Sequence, residues 1–170
     1  PSIAAVSQTI CSGAEVNLFA PSDTASTSYY WSAIKNDKVV GTNSNGLGPI
    51  RGKLVNNSVF PQALGFIITP TNEFCIGEPG IVSVVVNPTP VTSTISVTGP
   101  TTICQDENSL LTSSNANGNQ WYLDGQPIAG AKNSTFTAKV SGKYSVKITD
   151  ANICSSEMSL PKTITVNSLP

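Results

Sequence analysis

Between Cys104 and Cys154 the chain sets out landmarks in an order that few folds accommodate. They are Cys104, the aromatic segment Gln120-Trp121-Tyr122, the dipeptide Asp124-Gly125, the segment Gly142-Lys143-Tyr144, and Cys154. Successive side chains on a strand point to opposite faces, so Trp121 and Leu123 share one face and Gln120 and Tyr122 the other. Asp-Gly between two such runs predicts a tight hairpin, because both residues tolerate the positive φ that a two-residue turn demands. Tyr144, Val146 and Ile148 alternate with Lys143, Ser145 and Lys147, which predicts a strand with one buried and one wet face. Short strands are also expected over 135–138 and 162–167, and around Ile95 and Leu110. A chain of short strands joined by turns buries its apolar positions between two sheets. Trp121 and Tyr144 are the expected core residues.

The first half repeats the plan. Cys11 answers to Cys104, Trp31 to Trp121 and Cys75 to Cys154. Val86-Asn87-Pro88-Thr89-Pro90 answers to Val166-Asn167-Ser168-Leu169-Pro170. The expected organisation is two sandwiches in tandem, over 1–89 and 90–170, each near the lower end of normal domain size. The prolines make 87–90 a stiff linker. Strands are expected over 3–10, 15–20, 29–34, 38–40, 63–69 and 81–86, with a turn at 11–13 and Trp31 in the core. Residues 41–52 are dense in Gly, Asn and Ser and read as turns, followed by a short strand over 53–55. No segment has a helical period, so the expected class is all-β.

Charge and cysteine usage narrow the function. Only 11% of residues are charged, the net charge is −1 and there is no His. No electrostatic footprint for nucleic acid or an anionic membrane is present, and no apolar run is long enough to span a bilayer as a helix. Without His there is no imidazole base, no His metal ligand and no Ser-His-Asp triad. No enzyme activity, cofactor or metal is expected. The four cysteines form no C-x-x-C, which favours structural disulfides over zinc. The tandem alignment predicts Cys11–Cys75 and Cys104–Cys154, one bond per domain, each worth about 4 kcal/mol in the chain-entropy model. With linker-like residues at both ends and no initiator Met, the sequence is expected to be a piece of a longer array.

The order cysteine, Trp, hairpin, Gly-x-Tyr, cysteine is that of an immunoglobulin-like sandwich. More specifically, Thr101-Thr102-Ile103-Cys104, the hairpin Gly125-x-x-Ile128-x-Gly130-Ala131 and the run Gly142-x-Tyr144-Ser145-Val146 resemble the Ig-like repeats of Bacteroidota surface proteins. Thr9-Ile10-Cys11, Tyr30-Trp31-Ser32, Phe66 to Thr71 and Val84 to Pro90 resemble the PKD-like repeats that accompany them. The resemblance covers nearly the whole chain. It departs at Ile153, where such repeats usually carry Gly, and it is loose over 41–52. It implies a PKD-like repeat followed by an Ig-like repeat in a very large protein exported by type IX secretion, on the pattern of the giant gliding-motility adhesins. Such repeats also occur as spacers beside secreted hydrolases.

Candidate sites follow from the remaining polar and aromatic residues. Trp31 and Trp121 could stack on sugars, but mid-strand positions assign them to the core. Tyr29, Tyr30 and Tyr122 are the better candidates for exposed aromatics. Asp106-Glu107-Asn108 and Asp150-Ala151-Asn152 offer oxygen ligands without the density of a Ca²⁺ loop, and read as turns whose side chains bond their own backbone. Asp23-Thr24-Ala25 matches the short pattern Bacteroidota use for O-glycosylation, with Thr24 as acceptor. Asn56-Asn57-Ser58 and Asn133-Ser134-Thr135 are N-glycosylation sequons. The expected function is a disulfide-stapled, rigid structural and adhesive module at the cell surface, serving gliding motility or attachment. Its expected partners are neighbouring repeats and a surface polysaccharide or substratum, with neither nucleic acid nor membrane insertion. The alternative is a carbohydrate-binding accessory module of a secreted hydrolase, which needs a row of exposed aromatics.

Overall fold

The structure is a computed structural model that describes residues 1–2, 7–18 and 27–168. Every regular element in it is a strand. No helix of the described residues is long and apolar enough to cross a membrane. The chain divides into two compact units, Pro1–Pro88 and Thr89–Pro170.

The first unit contains β1 (Ser7–Cys11), β2 (Glu15–Leu18), β3 (Ser28–Ala33), β4 (Val39–Val40), β5 (Asn45–Leu47), β6 (Ile50–Lys53), β7 (Val55–Asn56), β8 (Gln62–Thr71) and β9 (Gly80–Asn87). One sheet runs β1-β9-β8-β3-β5. Facing it are the pairs β2–β6 and β4–β7. The long β8–β9 hairpin is the spine, in register from Gln62↔Val86 to Ile68↔Gly80. Alternation along it places Leu64, Phe66 and Ile68 with Val82, Val84 and Val86 on the buried face. These pack with Val16, Leu18, Trp31, Ile50 and Leu54 into one core. β1 joins the edge of β9 in parallel, Ser7↔Ser83 to Cys11↔Asn87.

Two expectations change here. Cys11 is the last residue of β1, and the turn begins at Ser12. Residues 41–52 are not all turns: they hold β5 and most of β6, and the strand expected over 53–55 is split. Leu54, fully buried, separates β6 from β7, and its amide donates to the Ala14 carbonyl. Trp31 explains why a Gly-rich stretch can still be a strand. Gly46 lies directly opposite it, and a Cβ on Gly46 would stand 2.5 Å from the indole Cζ2.

The second unit contains β10 (Ile95–Thr98), β11 (Thr102–Cys104), β12 (Ser109–Ser113), β13 (Asn119–Leu123), β14 (Gln126–Pro127), β15 (Thr135–Ala138), β16 (Gly142–Ile148) and β17 (Lys162–Asn167). Its sheets are β10-β12-β15 and β11-β17-β16-β13-β14. The β13–β14 hairpin closes through Asp124 and Gly125, both at positive φ (50° and 81°), as a primed turn requires. Trp121, Tyr144, Val146, Ile148, Leu111 and Ile164 form its core. Both units are β-sandwiches with an edge strand running parallel to the last strand, and the chain is all-β, in tandem immunoglobulin-like sandwiches.

Candidate functional site

The cysteines overturn the predicted pairing. Cys75 and Cys104 are exposed free thiols, whereas Cys11 and Cys154 are disulfide-bonded. Neither Cys11–Cys75 nor Cys104–Cys154 forms, and strand register gives the reason. Cys11 is level with Asn87, the end of β9. Cys75 sits in the turn before that strand begins, where the Asn72 amide donates to the Cys75 carbonyl and Asn72 Oδ1 accepts the Cys75 amide. β9 has eight residues, so roughly 20 Å or more of strand separates the two. A disulfide tolerates about 7 Å between Cα atoms. In the second unit Cys104 is level with Asn167, beyond the Gly142 end of β16. Cys154 lies past the opposite end of β16, next to the Thr149↔Ser155 bridge. In each unit the two cysteines occupy opposite ends of the sandwich.

The two tryptophans lie in the cores. Trp31 is 4% exposed and meets Phe66 edge-on, with centroids 5.7 Å apart. Its Nε1 is buried without a partner among the described residues. Trp121 is fully buried, and its Nε1 donates to the Asn133 carbonyl at 2.9 Å. Phe136 bridges Trp121 and Tyr144, at 5.9 and 5.7 Å. Tyr144 is buried, and its hydroxyl donates to the Val140 carbonyl four residues upstream, at 2.9 Å. Such a bond ties the start of a strand to the corner before it. Burial pushes the Tyr144 hydroxyl above the usual tyrosine value, and the nearby Asp124 carboxylate adds to the shift.

The three candidate surface tyrosines separate. Tyr29 is buried, so it is not a surface aromatic, whereas Tyr30 is 47% exposed. Tyr122 is half-buried on the outer face of β13. Tyr30 and Tyr122 therefore stand in different units and make no row, and the more exposed Phe60 and Phe74 lie in the segments before and after β8.

The acidic segments use their oxygens on the backbone. Asp150 Oδ1 accepts from the amides of Asn152 and Cys154, both at 2.9 Å. Glu107 Oε2 accepts the Cys104 amide at 2.8 Å. Among the described residues no three His, Cys, Asp or Glu side chains cluster as metal ligands would. Thr24 and Asp23 lie outside the described residues.

Asn56 is a structural residue that sequence reasoning missed, having read it as part of a sequon. It is 7% exposed. Its Nδ2 donates to the carbonyls of Val86 (2.7 Å) and Phe60 (2.8 Å). Its Oδ1 accepts from the Ser58 amide and hydroxyl. An Nδ2 used in this way is not presented for glycosylation in the folded unit. Asparagine in a turn-like context hides such a role, because only the fold supplies the distant partner, Val86.

One groove gathers polar side chains on the outer face of β13 and β16. Gln120 and Lys147 are cross-strand partners, as are Tyr122 and Ser145. The groove is lined by Gln120, Tyr122, Lys132, Lys147, Thr149 and Ser155, with Gly118 and Asn119 at one end, and has a volume of about 530 Å³. Gln120 Nε2 is fixed by the carbonyls of Ile128 (2.8 Å) and Trp121 (2.9 Å).

No curated protein matches the sequence. Among solved structures, murine CEACAM1b is 14% identical, with 97% of this chain and 99% of that chain covered and a TM-score of 0.44. A chain of the mouse coronavirus receptor-binding domain complexed with its murine receptor is 12% identical, with 99% of both covered and a TM-score of 0.47. The N-terminal Ig1-2 module of the Drosophila receptor protein tyrosine phosphatase DLAR is 12% identical, with 95% and 94% covered and a TM-score of 0.30. Residues 8–90 match the family model described as a PKD-like domain, and the first unit is accordingly a repeat of the Ig/PKD-like kind.

Proposed function

We propose that the chain is a structural and adhesive module of an exported cell-surface protein. The observation that carries this reading is a PKD-like match over the first unit together with disulfide-bonded Cys11 and Cys154. Disulfides persist in oxidising compartments, which agrees with export. The strands of the first unit's larger sheet, β1, β9, β8, β3 and β5, contain no charged residue, so that face offers neutral hydroxyl, amide and apolar groups. The finer reading places the module in a giant gliding-motility adhesin delivered by type IX secretion, where it spaces binding sites along a filament and contacts neighbouring repeats. It rests on the Ig-like and PKD-like repeat motifs of the sequence.

The test is deletion of residues 1–170 from the full-length protein in its own cells. The shortened protein should still reach the surface, where protease added to intact cells degrades it. Attachment and spreading on a solid support should fall. Undiminished attachment and spreading, with the shortened protein on the surface, overturns the reading.

A further inference from the structure

We propose that the β13–β16 groove of the second unit binds an acidic saccharide, one whose sugar rings carry carboxylate or sulfate. The charge of the ligand follows from the lysines. Lys132 and Lys147 both line the groove, and neither is held by a carboxylate: the ion pair among the described residues is Lys35–Asp37. Lys147 is half-buried on its strand, its stem lying along the sheet while its ammonium faces the groove without a fixed counter-charge, which an anion there supplies. Two cations are too few for a polyphosphate backbone, and the net charge of −1 supplies no supporting field.

The polyhydroxy character follows from the other groups. Thr149 and Ser155 bring their hydroxyls within 3.0 Å of each other at the groove wall. A sugar hydroxyl is both donor and acceptor and can pair with either of them. Tyr122 supplies a half-buried ring of the sort that lies against the C–H face of a pyranose. Gln120, pinned at both ends of its amide nitrogen's reach, holds the segment leading to Lys132 against β13.

This inference rests on the adhesive part of the function above, and it names the ligand class. Its test uses the intact chain in solution, so failure here is distinct from failure of the cell-surface deletion. Amide chemical shifts are followed while a galacturonate trisaccharide, a sulfated chondroitin tetrasaccharide and neutral maltotriose are added in turn. An acidic sugar should move the amides of 118–122, Lys147, Thr149 and Ser155, and maltotriose should not. Response to the galacturonate trisaccharide shows that carboxylate suffices, and response to the sulfated chondroitin alone shows that sulfate is required. The double variant Lys132→Ala/Lys147→Ala should keep the fold, seen as an unchanged spectrum elsewhere, and lose about tenfold in affinity. Tyr122→Ala should weaken binding without abolishing its salt dependence. Silence of the groove amides at millimolar acidic sugar, equal binding of maltotriose, or unchanged affinity in the double variant overturns the proposal.

Discussion

Ile153 holds a backbone conformation that its side chain opposes. Its φ is +63°, and the β-branched side chain is 82% exposed, so no packing compensates. The turn is imposed from outside: Asp150 Oδ1 gathers the amides of Asn152 and Cys154, and the Asp150 amide donates to the Cys154 carbonyl at 2.9 Å. A left-handed residue with a Cβ costs roughly 1–2 kcal/mol, and glycine returns part of that as chain entropy. Ile153→Gly should therefore stabilise the second unit by about 1 kcal/mol. Slower native-state hydrogen exchange at the Trp121 and Val146 amides would show it; faster exchange would mean the isoleucine contributes something the turn geometry does not reveal. Tyr144 gives a pH prediction. Its raised folded-state pKa means the protonated hydroxyl is favoured by folding, so its contribution is complete below the unfolded value near 10 and is lost as pH climbs through the folded one. Tyr144→Phe should cost about 1 kcal/mol near neutrality, for the lost bond to Val140. The gap between wild type and variant should narrow above about pH 10. A gap that stays constant with pH would refute the linkage.

At the level of elements, Trp31 and Gly46 set the tolerance of the first unit. The indole spreads over the β5 backbone, so Gly46→Ala drives a methyl into it. Overpacking of this kind costs about 1–3 kcal/mol, and amide exchange along β3 and β8 should speed up accordingly. Unchanged exchange would show that the three-residue β5 simply moves aside. The same pair explains what could be read beforehand. β15 and β17 were legible because alternation is carried by their side chains, Thr135 to Ala138 and Lys162 to Asn167. β5 and β6 were not, because a strand made of Asn45-Gly46-Leu47 is defined by the tryptophan across from it, and sequence offers no sign of that register. Leu54 was misplaced for a related reason: it is buried as a spacer between strands rather than by alternation within one. The tryptophans and Tyr144 were legible as candidates because mid-strand aromatics have few places to go but between sheets. The groove was not, since it needs β13, β16 and the segment before β15 brought side by side.

For the whole molecule the cysteines decide between two accounts of stability. Matching Cys11 with Cys104 and Cys75 with Cys154 by order is sound, but order carries no information about which end of a sandwich a residue occupies. Register does: β1 and β11 both finish level with the end of the last strand of their unit, away from the turns that hold Cys75 and Cys154. Each sandwich is therefore held by its core and its ladders, with no bond joining its own two cysteines. The thiol count tests this directly. In the native, non-reduced chain an alkylating reagent should modify two cysteines, Cys75 and Cys104, because both are free and exposed. Cys11 and Cys154 should resist until a reductant is added. Peptide mapping that finds Cys11 bridged to Cys75 and Cys104 bridged to Cys154 would restore a bond within each unit. Mapping that finds four reactive thiols would remove the disulfide chemistry on which the argument for an exported protein rests.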